Sequence, residues 1–463
     1  MRVARPTLKR VIAISVIGCA CCVSLAPAAS DLVDALTLAE QSDPTYREAQ
    51  SNALAVAEGI PQANALLWRP EMNFTIGTSH NRQDISSDSA FGAGGEVSFD
   101  NYDYRLNLTQ PVYHHDRYVR LQQANKRLQQ AQVELDAAHQ ALLIRVAERY
   151  FDVLAAIDSV DFSEAEKQSL AGQLEQAKQR FEVGLIAITD VEEAQAGYDR
   201  ATAQKISANN QLDNAHEALR EVTGANQVGL NTLRNSLKLE RPTPDTIEAW
   251  TTTALAQNLG VLAAHLATQI AADEIQAQYA GHYPSLDITG SHGFNSQGGR
   301  FGQTDIDGSE IGIRLNIPLY AGGSVVSKTR QATQQHAAAL ERLEKARRAV
   351  YRDTHEAFLG ILTQISAVHA LKQAVLSSKT ALDSTRAGFE VGTRTTVDVV
   401  TAERGLSQAR RDYARARYDY VLDGLRLKKA AGTLAPTDLV AANTWLEPPP
   451  AAPTQPPALP PKK

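Results

Sequence analysis

The 463-residue chain carries 46 Lys and Arg against 52 Asp and Glu, a formal charge of −6. Four of the basic residues (Arg2, Arg5, Lys9, Arg10) and none of the acidic ones lie in the first 28 positions, so the remainder stands at 42 − 52, or −10. That balance argues against nucleic acid as a partner, because phosphate binding draws on a surplus of Lys and Arg.

Taken in chain order, residues 1–28 read as an export signal peptide: a basic segment, the apolar run VIAISVIGCACCVSLA, and the small-x-small site Ala26-Pro27-Ala28. All three cysteines (Cys19, Cys21, Cys22) lie inside it, so cleavage after Ala28 removes every thiol. The alternative is a lipoprotein site at Val16-Ile17-Gly18-Cys19, with Cys19 lipidated as a second anchor. Beyond the leader no unbroken apolar run reaches about 18 residues, so an ordinary helical membrane anchor is not expected.

The segments EMNFTIGTSH (71–80) and NYDYRLNLTQPVY (101–113) alternate apolar and polar side chains, as do SLDITGSH (285–292) and SEIGIRLNIPLY (309–320). Period two predicts strands, and over about ten residues it is also the weak signature of a transmembrane β-strand. Polar loops are expected between the members of each pair, at 81–94 and 295–308. Prolines punctuate matching junctions: Pro70 and Pro284 before the first strand, Pro111 and Pro318 at the end of the second.

After each strand pair comes a long proline-free segment. In 114–181, Leu121, Ala124, Leu128, Ala131, Leu135, Ala138 and Leu142 recur at steps of three and four, the seam of one long coiled-coil helix. A second helix is expected over 189–223, ending near Gly224. The plan repeats as a helix over 323–389 and another over 396–430. FEVG stands at the tip of both hairpins, at 181–184 and 389–392, a spacing of 389 − 181 = 208. Gly184 and Gly392 suit helix C-termini that need a left-handed backbone.

The chain therefore divides into a signal peptide (1–28), a first structural repeat (29–240), a second (241–446) and a proline-rich, disordered tail (447–463). Four strands cannot close a membrane barrel, and an open edge in lipid leaves backbone groups unpaired. Three chains would supply 3 × 4 = 12 strands, with the helices continuing as a periplasmic tube. The fold class is α+β: a trimeric twelve-stranded outer-membrane barrel, four strands per chain, on a long α-helical coiled-coil barrel.

The stretches YFDVLAAIDSV (150–160), RFEVGLIAITDV (180–191), NIPLYAGG (316–323) and GFEVGTRTTVDVV (388–400) closely resemble the TolC family of outer-membrane efflux and type I secretion channels, over about residues 32–446. The resemblance implies a homotrimer that works with a periplasmic adaptor and an inner-membrane transporter, with no cofactor and no catalysis. It implies adaptor docking at Val183, Gly184, Leu185, Val391, Gly392 and Thr393. It also implies a gate latch near the tips: Thr189 and Asp190 match the acceptors, Arg394 the donor, and Gln173 a further linking position. Two departures weaken that latch, since Phe389 replaces the family's tyrosine and Arg386 the glutamate facing the glutamine position. Asp398 matches the first aspartate of an acidic constriction ring, whereas the second position is Thr401. Three carboxylates instead of six make a weaker cation trap. Glu403 lies nearby without restoring the ring.

Plainer readings stand beside these. Thr189 with Glu192 fits a capping box, and Asp190 and Asp398 suit helix starts. The Leu/Ala seam fits a soluble coiled coil, so a periplasmic scaffold or adaptor is the competing function. His114, His115 and Asp116 look metal-like but lack a third ligand, so no metal is expected. GAGG (92–95) does not follow a strand-to-helix phosphate-loop plan, and no serine, histidine and carboxylate set has a supporting motif.

Overall fold

The computed structural model describes residues 31–86, 95–227, 229–234, 236–299 and 302–448. The signal peptide, Cys19, residues 92–94 of GAGG and residues 449–463 of the tail lie outside them. Two long helical hairpins dominate the chain. One joins α4 (His115–Glu182) to α5 (Ile188–Thr223), the other α8 (Ser324–Glu390) to α9 (Thr396–Ala430). At 1.5 Å per residue, the 68 residues of α4 and the 67 of α8 each extend about 100 Å. No residue of the Leu121-to-Leu142 seam is exposed, as its heptad spacing predicts.

Short elements pack along the long helices between their middle and the sheet: α1 (Leu32–Ser42), α2 (Pro44–Ala57), α3 (Gly59–Trp68), α6 (Ile247–Gln257), α7 (Leu259–Tyr279) and α10 (Pro436–Asn443), with α3 and α7 reaching the start of α4. The two-residue strands β3 (Thr232–Leu233) and β6 (Leu446–Glu447) pair there, so ordered structure runs past the 446/447 boundary read from the sequence. Here the molecule is wide enough to exclude water. Leu142, Leu143, Tyr150, Phe151 and Leu154 of α4 pack with Tyr418, Leu422 and Leu425 of α9, Leu32 of α1 and Leu439 of α10. Toward the tips only small clusters persist, such as Leu174, Ala177, Val191 and Ala194 between α4 and α5. A pair of helices alone offers little more to bury.

At the other end β1 (Glu71–Ile85), β2 (Gly95–Tyr113), β4 (Ser285–Gly299) and β5 (Gly302–Asn316) form one antiparallel sheet in the order β1-β2-β4-β5. Register places Phe74 opposite Leu106, Tyr104 opposite Phe294, and Ile288 opposite Ile313, so one face is apolar across all four strands. That face is uncovered, with Ile76 79%, Ile311 85% and Ile313 76% exposed. The opposite face carries Asn73, Thr75, Asp103, Arg105, Asn107 and Arg314. Both edges, β1 and β5, lack a partner strand among the described residues of the chain.

Two expectations need correction. Of the loop placed at 81–94, residues 81–85 are strand and 87–94 lie outside the described residues; most of the loop placed at 295–308 is strand (295–299 and 302–308), and residues 95–100 extend β2 ahead of the segment read from alternation. Backbone pairing does not require apolar side chains, and here polar cross-strand pairs support it, among them His80 with Asp100 at 2.7 Å, Arg82 with Glu96, and Ser296 with Asp305 at 2.6 Å. Second, α8 contains a stretch that by length and composition could cross a membrane, although no unbroken apolar run betrays it. Little of that stretch is buried within the chain, and α8 runs along α9 and α7 as part of a bundle.

Candidate functional site

Both hairpin tips are built by the same backbone chemistry. Helix α4 ends in a turn in which the Gly184 amide donates to the Phe181 carbonyl and the Leu185 amide to Arg180, both at 2.9 Å. In the second tip Gly392 donates to Phe389 at 3.1 Å and Thr393 to Gly388 at 2.8 Å. The turn needs a positive φ, which Gly184 and Gly392 adopt at 76° and 80° at no steric cost. What it presents is apolar: Val183, Leu185 and Val391 are 70%, 72% and 75% exposed.

The two returning helices start differently. Thr395 caps α9 in a full capping box, its hydroxyl accepting the Asp398 amide while the Asp398 carboxylate accepts the Thr395 amide at 2.9 Å and hydroxyl at 3.0 Å. Those hydrogen bonds, the backbone one foremost, hold the Asp398 carboxyl below its usual range, with the Arg394 charge adding to them. In the first hairpin position 395 − 208 = 187 is alanine. Only half the box survives there, with Asp190 accepting the Ala187 amide at 3.3 Å. The Thr189–Glu192 box read from the sequence is thus corrected: α5 starts at Ile188, which leaves Thr189 one residue inside the helix.

Within one chain Thr189 and Asp190 do not meet Arg394, whereas Gln173 and Phe389 line one cavity. Thr189 and Arg394 are exposed at separate tips, and neither Asp190 nor Arg394 has an ion-pair partner among the described residues. Gln173 lines a cavity of about 210 Å³ between the hairpins, both its amide atoms buried without a hydrogen-bond partner. Phe389 lies under the Arg180 guanidinium, 4.8 Å from ring centroid to Cζ. Arg386 donates to Glu403 at 2.7 Å and to Ser169 at 2.8 Å. Glu403 is 8% exposed, held by that contact. Thr401, three residues beyond Asp398, is exposed.

Ser169 and Arg180 escaped the sequence reading, because nothing in a local pattern brings α4 against α8 more than 200 positions later. The metal-like trio resolves into ordinary contacts. His114 binds Asp287 at 2.8 Å, and His115, the first residue of α4, meets the Tyr283 ring edge-on. Among the described residues no group of three or more His, Cys, Asp or Glu could hold a metal ion.

An exposed apolar strand face joined to very long helical hairpins matches known proteins. The family model for outer membrane efflux proteins fits residues 35–225 and 250–433. The outer membrane protein TolC of Vibrio cholerae is 37% identical over 425 residues, which cover 90% of this chain and 94% of that protein. The alkaline protease secretion protein AprF of Pseudomonas aeruginosa is 27% identical over 419 residues, 89% of this chain and 87% of its own. Among solved structures, the Campylobacter jejuni CmeC outer membrane channel superposes with a TM-score of 0.73 at 15% identity, over 89% of each chain. The chain belongs to the outer membrane efflux protein family, a family of channels and not of enzymes.

Proposed function

We infer that three copies of the chain assemble into an outer-membrane exit duct of a Gram-negative bacterium, serving an efflux pump or a type I secretion system. The observation that carries this reading is the sheet: four strands with an exposed apolar face and two unpaired edges, β1 and β5. In hydrocarbon an unpaired edge is costly, and joining β5 of one copy to β1 of the next abolishes it. Three copies give 3 × 4 = 12 strands around a polar lumen. Uncovered side chains on α8 agree, since Leu340, Leu359 and Leu376 are 47%, 53% and 57% exposed and a neighbouring copy would cover them. The matched order of strands and hairpins supports two structural repeats, 29–240 and 241–446.

The tips are the docking points of a periplasmic adaptor, which connects the duct to an inner-membrane transporter. Val183, Gly184 and Leu185 with Val391, Gly392 and Thr393 offer six quasi-equivalent apolar knobs per trimer, two from each chain. Between copies, Arg394 of one chain latches on Thr189 and Asp190 of its neighbour, with Gln173 and Phe389 close behind. Asp398 supplies a constriction of three carboxylates, with Thr401 where a second ring would stand. The cargo is a small toxic compound or a secreted polypeptide.

Planar-bilayer recording of the detergent-purified protein tests the duct. Discrete conductance steps are expected, small at rest because the tips are closed. Bilayers that stay silent over a range of protein concentrations would leave the competing soluble scaffold standing.

A further inference from the structure

Beside the main core, α9, α6 and the chain that leads from β3 into α6 enclose a groove of about 390 Å³. To its lining α9 contributes Val421, Gly424 and Leu427, and Trp250, Tyr420 and Trp445 add three aromatic rings. We propose that this groove receives the chain's own proline-rich segment, residues 449–463, laid in as a polyproline II rod.

The chemistry of the groove selects such an occupant. Each charged side chain in its lining already has a partner: Lys238 with Glu240 at 2.5 Å, Arg241 with Asp245 at 2.7 Å, and Lys428 with Asp438 at 2.6 Å. That favours a neutral ligand over a charged one. Two of the rings have their polar atoms engaged as well. The Trp250 indole N–H donates to the Pro244 carbonyl at 2.8 Å, and the Tyr420 hydroxyl donates to the Glu240 carbonyl at 3.0 Å. What they offer is ring surface. Trp445 differs: it is 37% exposed, and its indole N–H has no hydrogen-bond partner among the described residues. Aromatic faces with one available N–H suit a proline-rich peptide, which brings apolar rings to pack and backbone carbonyls to accept. The space above Gly424 is open, since a Cβ built there meets nothing within 4 Å.

The segment matches these demands. From Pro448 to Pro461 it carries no charged side chain. Pro450, Pro453, Pro456 and Leu459 recur at every third position, and polyproline II has three residues per turn, so the four share one edge of the rod. A chain already stiffened by proline loses little further freedom on docking. The tether contributes the rest. Pro448 follows Trp445 by three residues, at most about 11 Å of chain, so the segment sets out from the groove's own rim. Its effective concentration there is on the order of millimolar, enough to fill a site too weak to hold a free peptide.

Two measurements on the full-length protein in detergent test this from opposite sides. In the first, Trp68→Phe removes a tryptophan that is 61% exposed; Trp250 is only 9% exposed, so acrylamide quenching then reads Trp445. Pro450→Ser, Pro453→Ser and Pro456→Ser combined should make Trp445 clearly more quenchable. Pro449→Ser, Pro457→Ser and Pro461→Ser combined, on the other edges of the rod, should leave it as in the parent. In the second, a proline-specific endopeptidase trims the segment, and the loss is followed by mass. Cleavage tracks the undocked population, so Gly424→Leu, which fills the groove from its open side, should speed trimming by on the order of tenfold. Replacing a helical glycine also favours α9, so the melting temperature should not fall. Trp445 equally shielded in the parent and the edge variant would mean that a neighbouring copy or detergent fills the groove. Trp445 equally open in both would mean that nothing does. Either result overturns the proposal, as does a trimming rate unchanged by Gly424→Leu or a Trp445 response that is the same for both proline sets.

Discussion

Arg394 stands at the second tip with its side chain in water, four residues before an aspartate already occupied in capping its own helix. A cation so placed has no ion-pair partner among the described residues of its own chain, which leaves it available to a neighbour. Arg394→Ala should therefore raise single-channel conductance at rest, and unchanged conductance would remove it from the gate. Asp398 keeps its charge well into acid because the Thr395 hydrogen bonds favour the carboxylate. Thr401→Asp, one turn further on, should double the carboxylates per trimer and strengthen block by multivalent cations; unaltered block would place the constriction elsewhere. The sequence showed the tip glycines and the two aspartates, whose backbone roles are local. It did not show Ser169 against Arg386 or Arg180 against Phe389, because those pairs become neighbours only when two hairpins pack.

Among the elements, α4 and α9 form much of the main hydrophobic core of the chain. Phe151 is fully buried there and stacks on Tyr418 with ring centroids 5.8 Å apart. Phe151→Ala should cost about 3–5 kcal/mol, read as a lowered melting temperature in detergent. Next to that pair Tyr418 donates to Asp158 at 2.6 Å, and burial raises the Asp158 carboxyl above its ordinary range despite the Tyr418 hydrogen bond and the Arg417 charge. A raised acid binds more protons folded than unfolded, so its contribution to stability falls as pH rises from about 3.9 through the raised value. Asp158→Asn should flatten that part of the melting-temperature profile, and an unchanged slope would assign it to other groups. Helices were the most legible elements, since heptad seams and helix-ending glycines mark them directly. Strands were legible only where the apolar face is uncovered. Beyond it the ladder continues on polar pairs such as Arg82 with Glu96, and alternation of hydrophobicity carries no trace of it.

At the scale of the molecule, a single chain leaves three surfaces unfinished: an apolar sheet face, two strand edges and one side of α8. On the proposed reading, lipid covers the first and copies of the chain cover the others. A high-salt wash of the outer-membrane fraction should consequently leave the protein in the pellet, whereas detergent should release it. Salt disrupts the charge contacts of a peripheral scaffold and does nothing to a barrel. The internal duplication in the sequence pointed to this architecture, because four strands per chain require company to close. The number of copies is the claim on which barrel, constriction and six-fold tip arrangement all depend. It is tested most directly by the native mass of the detergent-extracted particle. Three chains per particle, falling apart when detergent is withdrawn, is the predicted result; a monomer stable without detergent would contradict the account.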